Sequence, residues 1–464
     1  MNWALLLNSA TVSAATALLA GAAGFLAALR MATASPASRK CLQAATLITL
    51  ALPPFLVINN WLELLSPSGP WRRWLPIEIH SLGGTIAVLS VMFWPISALL
   101  TLGALDRIEP GQLESDPLLR GRALLRWLLW PAARAAAGMA ALLIFVLSFN
   151  QFSIPVILQV PVYPEELWLA FTTRLNEEGA WAAAVPMMVL PALFLMLVRR
   201  REFSWPRESG SSTRLILARQ LGHGWCRAAT AATVMLLVAG LGVPLGRLLW
   251  TVRTWEELPK LLRAAPDVAA NSFIFAFVPA TVAVVLTLAL WAKSWCGKGG
   301  WVLWLLFFMP GVLMGRAVML GFGQTVLYGT SFVVLLALTV RYFAVSWEGM
   351  SMAGNGLDPN LLDVGRMEGA RGWALFRHFA WPQLVRPMAA TWYVIYLLAL
   401  WDVETLVLIY PPGGETLALR IFNFLHYGHN AQVNAMCVTL LGLAVLPMFL
   451  WHGSRFVADL WRHR

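Results

Sequence analysis

Charge is scarce in this chain. Asp, Glu, Lys and Arg make up 12% of its 464 residues, against ~25% in soluble domains. No long polar segment separates the apolar runs, so catalysis of a soluble kind has nowhere to sit. Cysteine is also rare. Cys41, Cys226, Cys296 and Cys437 stand far apart, in or beside apolar segments. That spacing excludes a redox or zinc motif and reads as packing use. A phosphate-cradling loop is missing too. At the Gly297-Lys298 pair, Ala292 occupies the place of the upstream glycine of a Walker A loop, and Gly299 stands where Ser or Thr is required. The first apolar run, Trp3–Leu29, has no basic segment before it and is too long for a signal sequence; it reads as a retained span.

What is present is apolar: 59% of residues are hydrophobic and 24 are Trp, a ring that anchors at the headgroup level. The net charge of +11 raises the question of nucleic acid. Most Lys and Arg fall in short loops on one side, however, which is the positive-inside pattern of a membrane protein. The expected partner is the lipid bilayer, with no nucleic acid. Apolar windows centre near Thr16, Ala51, Val91, Ile144, Val189, Leu236, Phe277, Leu306, Leu335, Ile395 and Leu443. The fold class is therefore an all-α polytopic membrane protein with about eleven transmembrane helices.

The chain divides into two pseudo-symmetric halves. NSATVSAATALLAGAAGFLAAL from Asn8 echoes NSFIFAFVPATVAVVLTLAL from Asn271. Each run is followed by a span holding proline (Pro53 and Pro54; Pro310), another span, a charged insert, and two further spans. The expected division is residues 1–200 as a first half of five helices, a basic cytoplasmic linker at 201–225, and 226–464 as a second half of six. A parallel repeat places a pathway where the halves meet. Arg30, Arg39, Lys40, Arg199–Arg201, Lys293, Lys298 and Arg462 fall on one side, together with both inserts and the C-terminus. That side is expected to be cytoplasmic and the N-terminus periplasmic.

The inserts are Leu357–Pro382 (LDPNLLDVGRMEGARGWALFRHFAWP) and a weaker copy at Leu105–Pro131. Asp358-Pro359 can start a helix. Gly369 permits a turn, and Pro382 suits the first turn of the next span. A short helix lying across the membrane surface can seat in a groove of a soluble motor and pass on rigid-body motion.

Asp363, Gly369-Ala370 and Pro382 are spaced like the EAA loop of binding-protein-dependent ABC importer permeases. Asp363 stands at the glutamate, Val364 and Gly365 at the two alanines, and Gly369 at the glycine, with Pro382 thirteen residues beyond. Glu114, Gly121 and Pro131 give a similar shape in the first insert, with small gaps. DVETLVLIYPPG from Asp402, continued by GETLALRIFNFLHYG, is similar to a run of the ferric-iron branch, and QFSIP from Gln151 resembles its E-F-G-x-P. The chain thus resembles a fused two-half permease of the ferric-iron type, with thiamine and phosphonate permeases as relatives.

The resemblance implies a type I ABC importer permease fold and no enzymatic activity of its own. It implies ATPase coupling at Glu114, Gly121, Asp363, Gly369 and Ala370. The partners would be a pair of ABC ATPase subunits carrying ATP-Mg, with no cofactor on this chain, and a periplasmic substrate-binding protein. That protein would touch the loops Tyr163–Glu178 and Gly413–Asn430. The location would be the bacterial inner membrane and the favoured solute ferric iron.

Ionisable groups at membrane depth tend to face a cavity or each other. Asp402 and Glu404 fall in the apolar run Ala389–Tyr410, and Arg316 in Trp301–Leu320. Aligning the repeats sets Asn60 opposite Arg316 and Gln151 opposite Asp402. Asn60, Gln151, Arg316, Asp402 and Glu404 are the candidate lining of a translocation path. The alternative is a structural ion pair between Arg316 and Asp402. His426 and His429 lie three apart in a loop, but two imidazoles make an incomplete site, so no metal site is expected. An ion-driven secondary transporter would use the intramembrane carboxylates but leaves the inserts without a role. A membrane-embedded enzyme would need a carboxylate or His cluster at one face.

Overall fold

A computed structural model of the chain describes residues 2–67, 69–74, 78–116, 118–172, 177–198, 211–292, 300–426 and 430–462. Arg199–Arg201, Lys293, Lys298 and His429 lie outside the described residues, as does the first part of the basic linker. Every element among the described residues is helical. Among the described residues eight helices are long and apolar enough to cross a membrane, or ten when each of two bent pairs is counted as one span. The count of eleven is not confirmed among the described residues. Contacts divide the chain into two units, Met1–Glu257 with Phe424–Ala435, and Leu258–Asn423 with Met436–Arg464.

In the first unit, α1 (Trp3–Ala32), α2 (Pro36–Ala51), α3 (Pro54–Leu65), α4 (Leu82–Leu105), the short α5 (Pro110–Glu114) and α6 (Trp130–Phe149) come in order. Small residues let α1 and α4 approach closely, as membrane helices must when lipid is as apolar as their side chains. A Cβ on Gly24 would fall 2.5 Å from Ser97 Cβ and 2.7 Å from Ala98 N. Ser97 Oγ also donates to Gly21 O at 3.1 Å. The helices α2 and α3 are bent by 86°. The physical cause is local: Leu52, which precedes Pro53, is extended (ψ 140°), and Pro54 opens α3 at its first turn.

The unit continues through α7 (Tyr163–Thr172), α8 (Glu177–Val198), α9 (Ser211–Leu237, kinked at Gly222 with φ +82°) and α10 (Val243–Trp250). Leu217, Leu221, Ala229 and Leu236 of α9 are buried in the same apolar cluster as Ala20, Ala28 and Trp94. The helix that opens the second half by sequence therefore packs within the first unit. Its burial is set by its apolar face rather than by its place in the repeat.

The amphipathic α11 (Val252–Ala264) leads to the second unit. There α12 (Pro266–Ala292), α13 (Trp301–Phe308), α14 (Gly311–Phe322), α15 (Ser331–Asn355), α16 (Pro359–Met367) and α17 (Trp381–Leu400) repeat the plan of α1 to α6. α13 and α14 are bent by 104° at Pro310, again after an extended residue, Met309 (ψ 130°). α18 (Leu417–His426) and α19 (Asn430–Arg462) complete the chain.

Prolines mark the spans in a way the sequence reading missed. Pro382 stands in the first turn of α17, as expected, but the span continues back beyond it to Trp373. A π-turn at Phe376–Ala380 absorbs the proline, and the same device precedes Pro131 (Leu125–Leu129) and Pro244 (Val238–Gly242). Proline lacks an N–H and crowds the carbonyl four residues back, so the turn before it widens instead of breaking.

Candidate coupling and translocation sites

The two inserts are built on one backbone. Gly121 has φ 54° and ψ −120°; Gly372 has φ 52° and ψ −119°. Each precedes three α-helical residues, a five-residue π-turn and a twenty-residue helix opening on Trp-Pro. GRALLRWLLWP from Gly121 and GWALFRHFAWP from Gly372 thus align without a gap. The structural partner of Gly121 is Gly372, not Gly369, because only glycine adopts these angles without strain.

Asp358 caps α16 as expected, its Oδ1 accepting from Asn360 N at 2.9 Å. Gly369 ends it in the left-handed region (φ +82°). Ala370 N donates to Gly365 O at 2.9 Å and Gly369 N to Arg366 O at 3.1 Å, the paired bonds of a Schellman cap. Asp363 forms an exposed ion pair with Arg366 at 2.7 Å, which contributes little to stability. Leu361, Val364 and Met367 on the same helix are exposed. In the first insert the helix is only five residues long and ends at Glu114. Buried Gln220 clamps both ends of the loop between that helix and Gly121: its Nε2 donates to Leu113 O at 2.7 Å, and its backbone carbonyl accepts from Gly121 N at 2.8 Å.

The candidate path residues separate into two groups. In the second unit α17 ends at Leu400, so Asp402 and Glu404 sit in a non-helical turn after the span rather than inside it. Irregular backbone at such depth needs internal partners, and Asp402 supplies them. Its carboxylate accepts from Thr405 N at 2.9 Å, Thr405 Oγ1 at 2.7 Å and Tyr342 OH at 2.8 Å. Its ion-pair partner is Arg341, with Nη1 at 3.0 Å from Oδ2 and side chains 14% and 2% exposed. Arg341 Nη2 also lies 3.5 Å from Glu404 Oε2. Glu404 in turn accepts from Gly311 N at 3.4 Å, the first amide after the Pro310 break. A Cβ on Gly311 would fall 2.7 Å from Thr405 N, so broken helix and turn pack backbone to backbone.

The alternative, a structural pair between Arg316 and Asp402, is not formed; Arg341 takes the carboxylate. Arg316 is partly exposed and its Nη1 lies 2.9 Å from Met319 Sδ. Sequence reasoning missed Arg341. The signal was a lone arginine eleven residues into the apolar run from Ser331, as costly at depth as Arg316.

In the first unit Asn60 is fully buried, with Nδ2 donating to Leu56 O at 2.8 Å. α3 and α14 have the same length and each comes after a proline cap, Pro53 or Pro310. That register sets Asn59, not Asn60, opposite Arg316. Asn59 Nδ2 donates to Asn434 Oδ1 at 2.9 Å in a buried contact. Gln151 comes just after α6 as Asp402 comes just after α17. The site is charged in the second unit and neutral at the corresponding places of the first. No group of three or more His, Cys, Asp or Glu fit to hold a metal occurs among the described residues. His429 and the side chain of His426 lie outside them.

No family model matches the chain. It is 21% identical over 435 residues to the Fe(3+)-transport system permease protein FbpB 2 of Haemophilus influenzae, covering 88% of this chain and 81% of that protein. It is 28% identical over 142 residues to the putative 2-aminoethylphosphonate transport system permease protein PhnV of Salmonella paratyphi A, covering 30% of this chain and 54% of the relative. Over 103 residues it is 27% identical to the spermidine/putrescine transport system permease protein PotC of Escherichia coli, covering 22% and 38%. These relatives are permease proteins of transport systems, in agreement with the permease resemblance drawn from the inserts and the Asp402 run.

Proposed function

We propose that the chain is the transmembrane permease subunit of an ATP-driven ABC importer that passes ferric iron from a periplasmic binding protein to the cytoplasm. One observation carries the reading: similarity to an Fe(3+)-transport system permease runs over 88% of the chain. The duplicated insert supports the coupling half of the idea. Two rigid levers, each ending in a glycine-defined turn and continuous with a long helix, suit a pair of ATPase subunits docked at Glu114, Gly121, Asp363, Gly369 and Ala370. ATP-driven closure of that pair would rock the halves of the repeat and open the path toward the binding protein; hydrolysis would reset it. The inserts and C-terminus face the cytoplasm of a bacterial inner membrane in this reading, and the N-terminus faces the periplasm. Asn60, Gln151, Arg316, Asp402 and Glu404 line the path, and Arg341 sets the charge of the Asp402 turn. In this reading the repeat divides the chain at 1–200 and 226–464, although α9 begins at Ser211, inside the expected linker 201–225, and packs by its own apolar face.

A second solute is favoured by a specific observation. The partly exposed Arg316 guanidinium suits an anion, and similarity to a 2-aminoethylphosphonate permease covers 30% of the chain. The deciding experiment purifies the tagged chain from its native membranes, identifies what co-purifies, and reconstitutes it in proteoliposomes. Radiolabelled ferric citrate, 2-aminoethylphosphonate and spermidine are then offered with binding protein and ATP. An ATPase is expected in the preparation, with uptake of ferric iron that stops with a non-hydrolysable nucleotide. Uptake at full rate without any ATPase would refute the importer reading; ATP-dependent uptake of phosphonate alone would replace the solute.

A further inference from the structure

An Asn-Ser pair stands in the second turn of the first core helix of each repeat, and both pairs do the same thing. In the first unit Asn8 Nδ2 donates to Pro161 O at 3.2 Å, and Ser9 Oγ accepts from Tyr163 N at 2.8 Å. In the second, Asn271 Nδ2 donates to Gly413 O at 2.8 Å and to Glu415 O at 3.3 Å, and Ser272 Oγ accepts from Leu417 N at 2.7 Å. Tyr163 and Leu417 are the first residues of α7 and α18. In both units the serine therefore takes the first amide of the short helix, and the asparagine holds the carbonyl two residues before it. Ser9 and Ser272 are 3% and 2% exposed.

The first amides of a helix have no partner within it and are ordinarily capped by the residue just before. Val162 has no side-chain oxygen to do so, while Thr416 caps the third amide, Leu419 N, at 3.4 Å and leaves the first to Ser272. Each short helix thus begins on a hydrogen bond to another helix, across 154 and 145 residues of chain. Ser272 is prepared for this, because its own hydroxyl proton goes to Val268 O at 2.7 Å, leaving a lone pair for the incoming amide. The two pairs stand at matching places in the repeat and make the same bonds there.

We propose that Asn8-Ser9 and Asn271-Ser272 form a duplicated latch, positioning residues that fix α7 to α1 and α18 to α12 so that each short helix moves as part of the core helix it is bonded to. The latch stands on this chain's own geometry. Its use rests on the importer reading, in which a protein docked on α7 and α18 would bear directly on the first helix of each repeat.

The test is hydrogen–deuterium exchange of the full chain in nanodiscs of phosphatidylethanolamine and phosphatidylglycerol. It compares the unmodified protein with Ser9→Ala, Ser272→Ala, Ser9→Thr and Ser272→Thr. Loss of one latch bond should speed exchange of the first-turn amides of α7 or α18 about five- to tenfold, the size of one hydrogen bond. The effect should stay in the unit mutated. The Thr variants, which keep the oxygen, should return to the unmodified rate, while α4 and α15 stay protected throughout. Unchanged exchange in the Ala variants, failure of Thr to restore protection, or loss spreading into α4 or α15 would each overturn the latch. No partner protein enters the measurement, so its failure is distinguishable from failure of the importer reading.

Discussion

Replacing Arg341 leaves Asp402 in a place where a carboxylate cannot remain alone. The Asp402 side chain is 2% exposed, and its remaining partners would be Tyr342 OH and Thr405. Removing one member of a buried ion pair costs ~3–5 kcal/mol, because the other is left uncompensated; removing both costs much less than twice that. At ~2–4 °C per kcal/mol for a unit of this size, Arg341→Met and Asp402→Ala should each lower the melting temperature by about 10 °C. The double variant should melt within about 3 °C of the weaker single variant. Tryptophan fluorescence melts in detergent, at one fixed scan rate, supply the assay. These sizes require Arg341 to be the charge partner of Asp402. A double variant whose loss equals the sum of the two single losses would refute that pairing.

The same geometry makes other outcomes testable. Gly121→Ala and Gly372→Ala should destabilise by similar amounts, ~1–3 kcal/mol each, because both force a side chain into the same positive-φ backbone; Gly138→Ala, in open space on α6, should be neutral or stabilising by ~0.5–1 kcal/mol in the same melts. Gly24→Ala, where a Cβ meets Ser97 and Ala98 backbone, should cost ~1–3 kcal/mol by overpacking, and wild-type stability would contradict the close crossing of α1 and α4. Glu165 on α7 has its pKa raised, chiefly by burial, with a backbone hydrogen bond at Val162 opposing and Glu166 adding to the shift. The folded state therefore holds that proton more tightly than the unfolded chain, and stability falls as pH rises from about the unfolded carboxylate value of 4.5 through the raised folded one. Glu165→Gln should be more stable than the parent above that window and equal to it below; equal melts at pH 4 and pH 8 would show that Glu165 is not buried as an acid.

Much of the plan was legible in the chain. Composition and apolar windows specify a helical membrane protein, since length and hydropathy are all a span requires. The repeat was readable from the prolines, and the inserts from their charge. The cap at Asp358 and the turn at Gly369 were readable from residue type, because both depend on neighbours in sequence. Residue types also flagged Asp402 and Glu404 as costly groups that must find partners.

Which partner each finds was not legible. Arg341 and Asp402 are 61 residues apart, and nothing local chooses Arg341 over Arg316. The register that pairs Gly121 with Gly372 became plain only from matching backbone angles, since spacing alone allowed Gly369 as well. The placement of α9 in the first unit, the π-turns before Pro131, Pro244 and Pro382, and the twin bonds from Asn8-Ser9 and Asn271-Ser272 belong to the tertiary structure for one reason. A sequence sets which groups are apolar, which must be hydrogen-bonded and where the backbone can turn. Only the packing of distant segments decides which buried donor meets which acceptor.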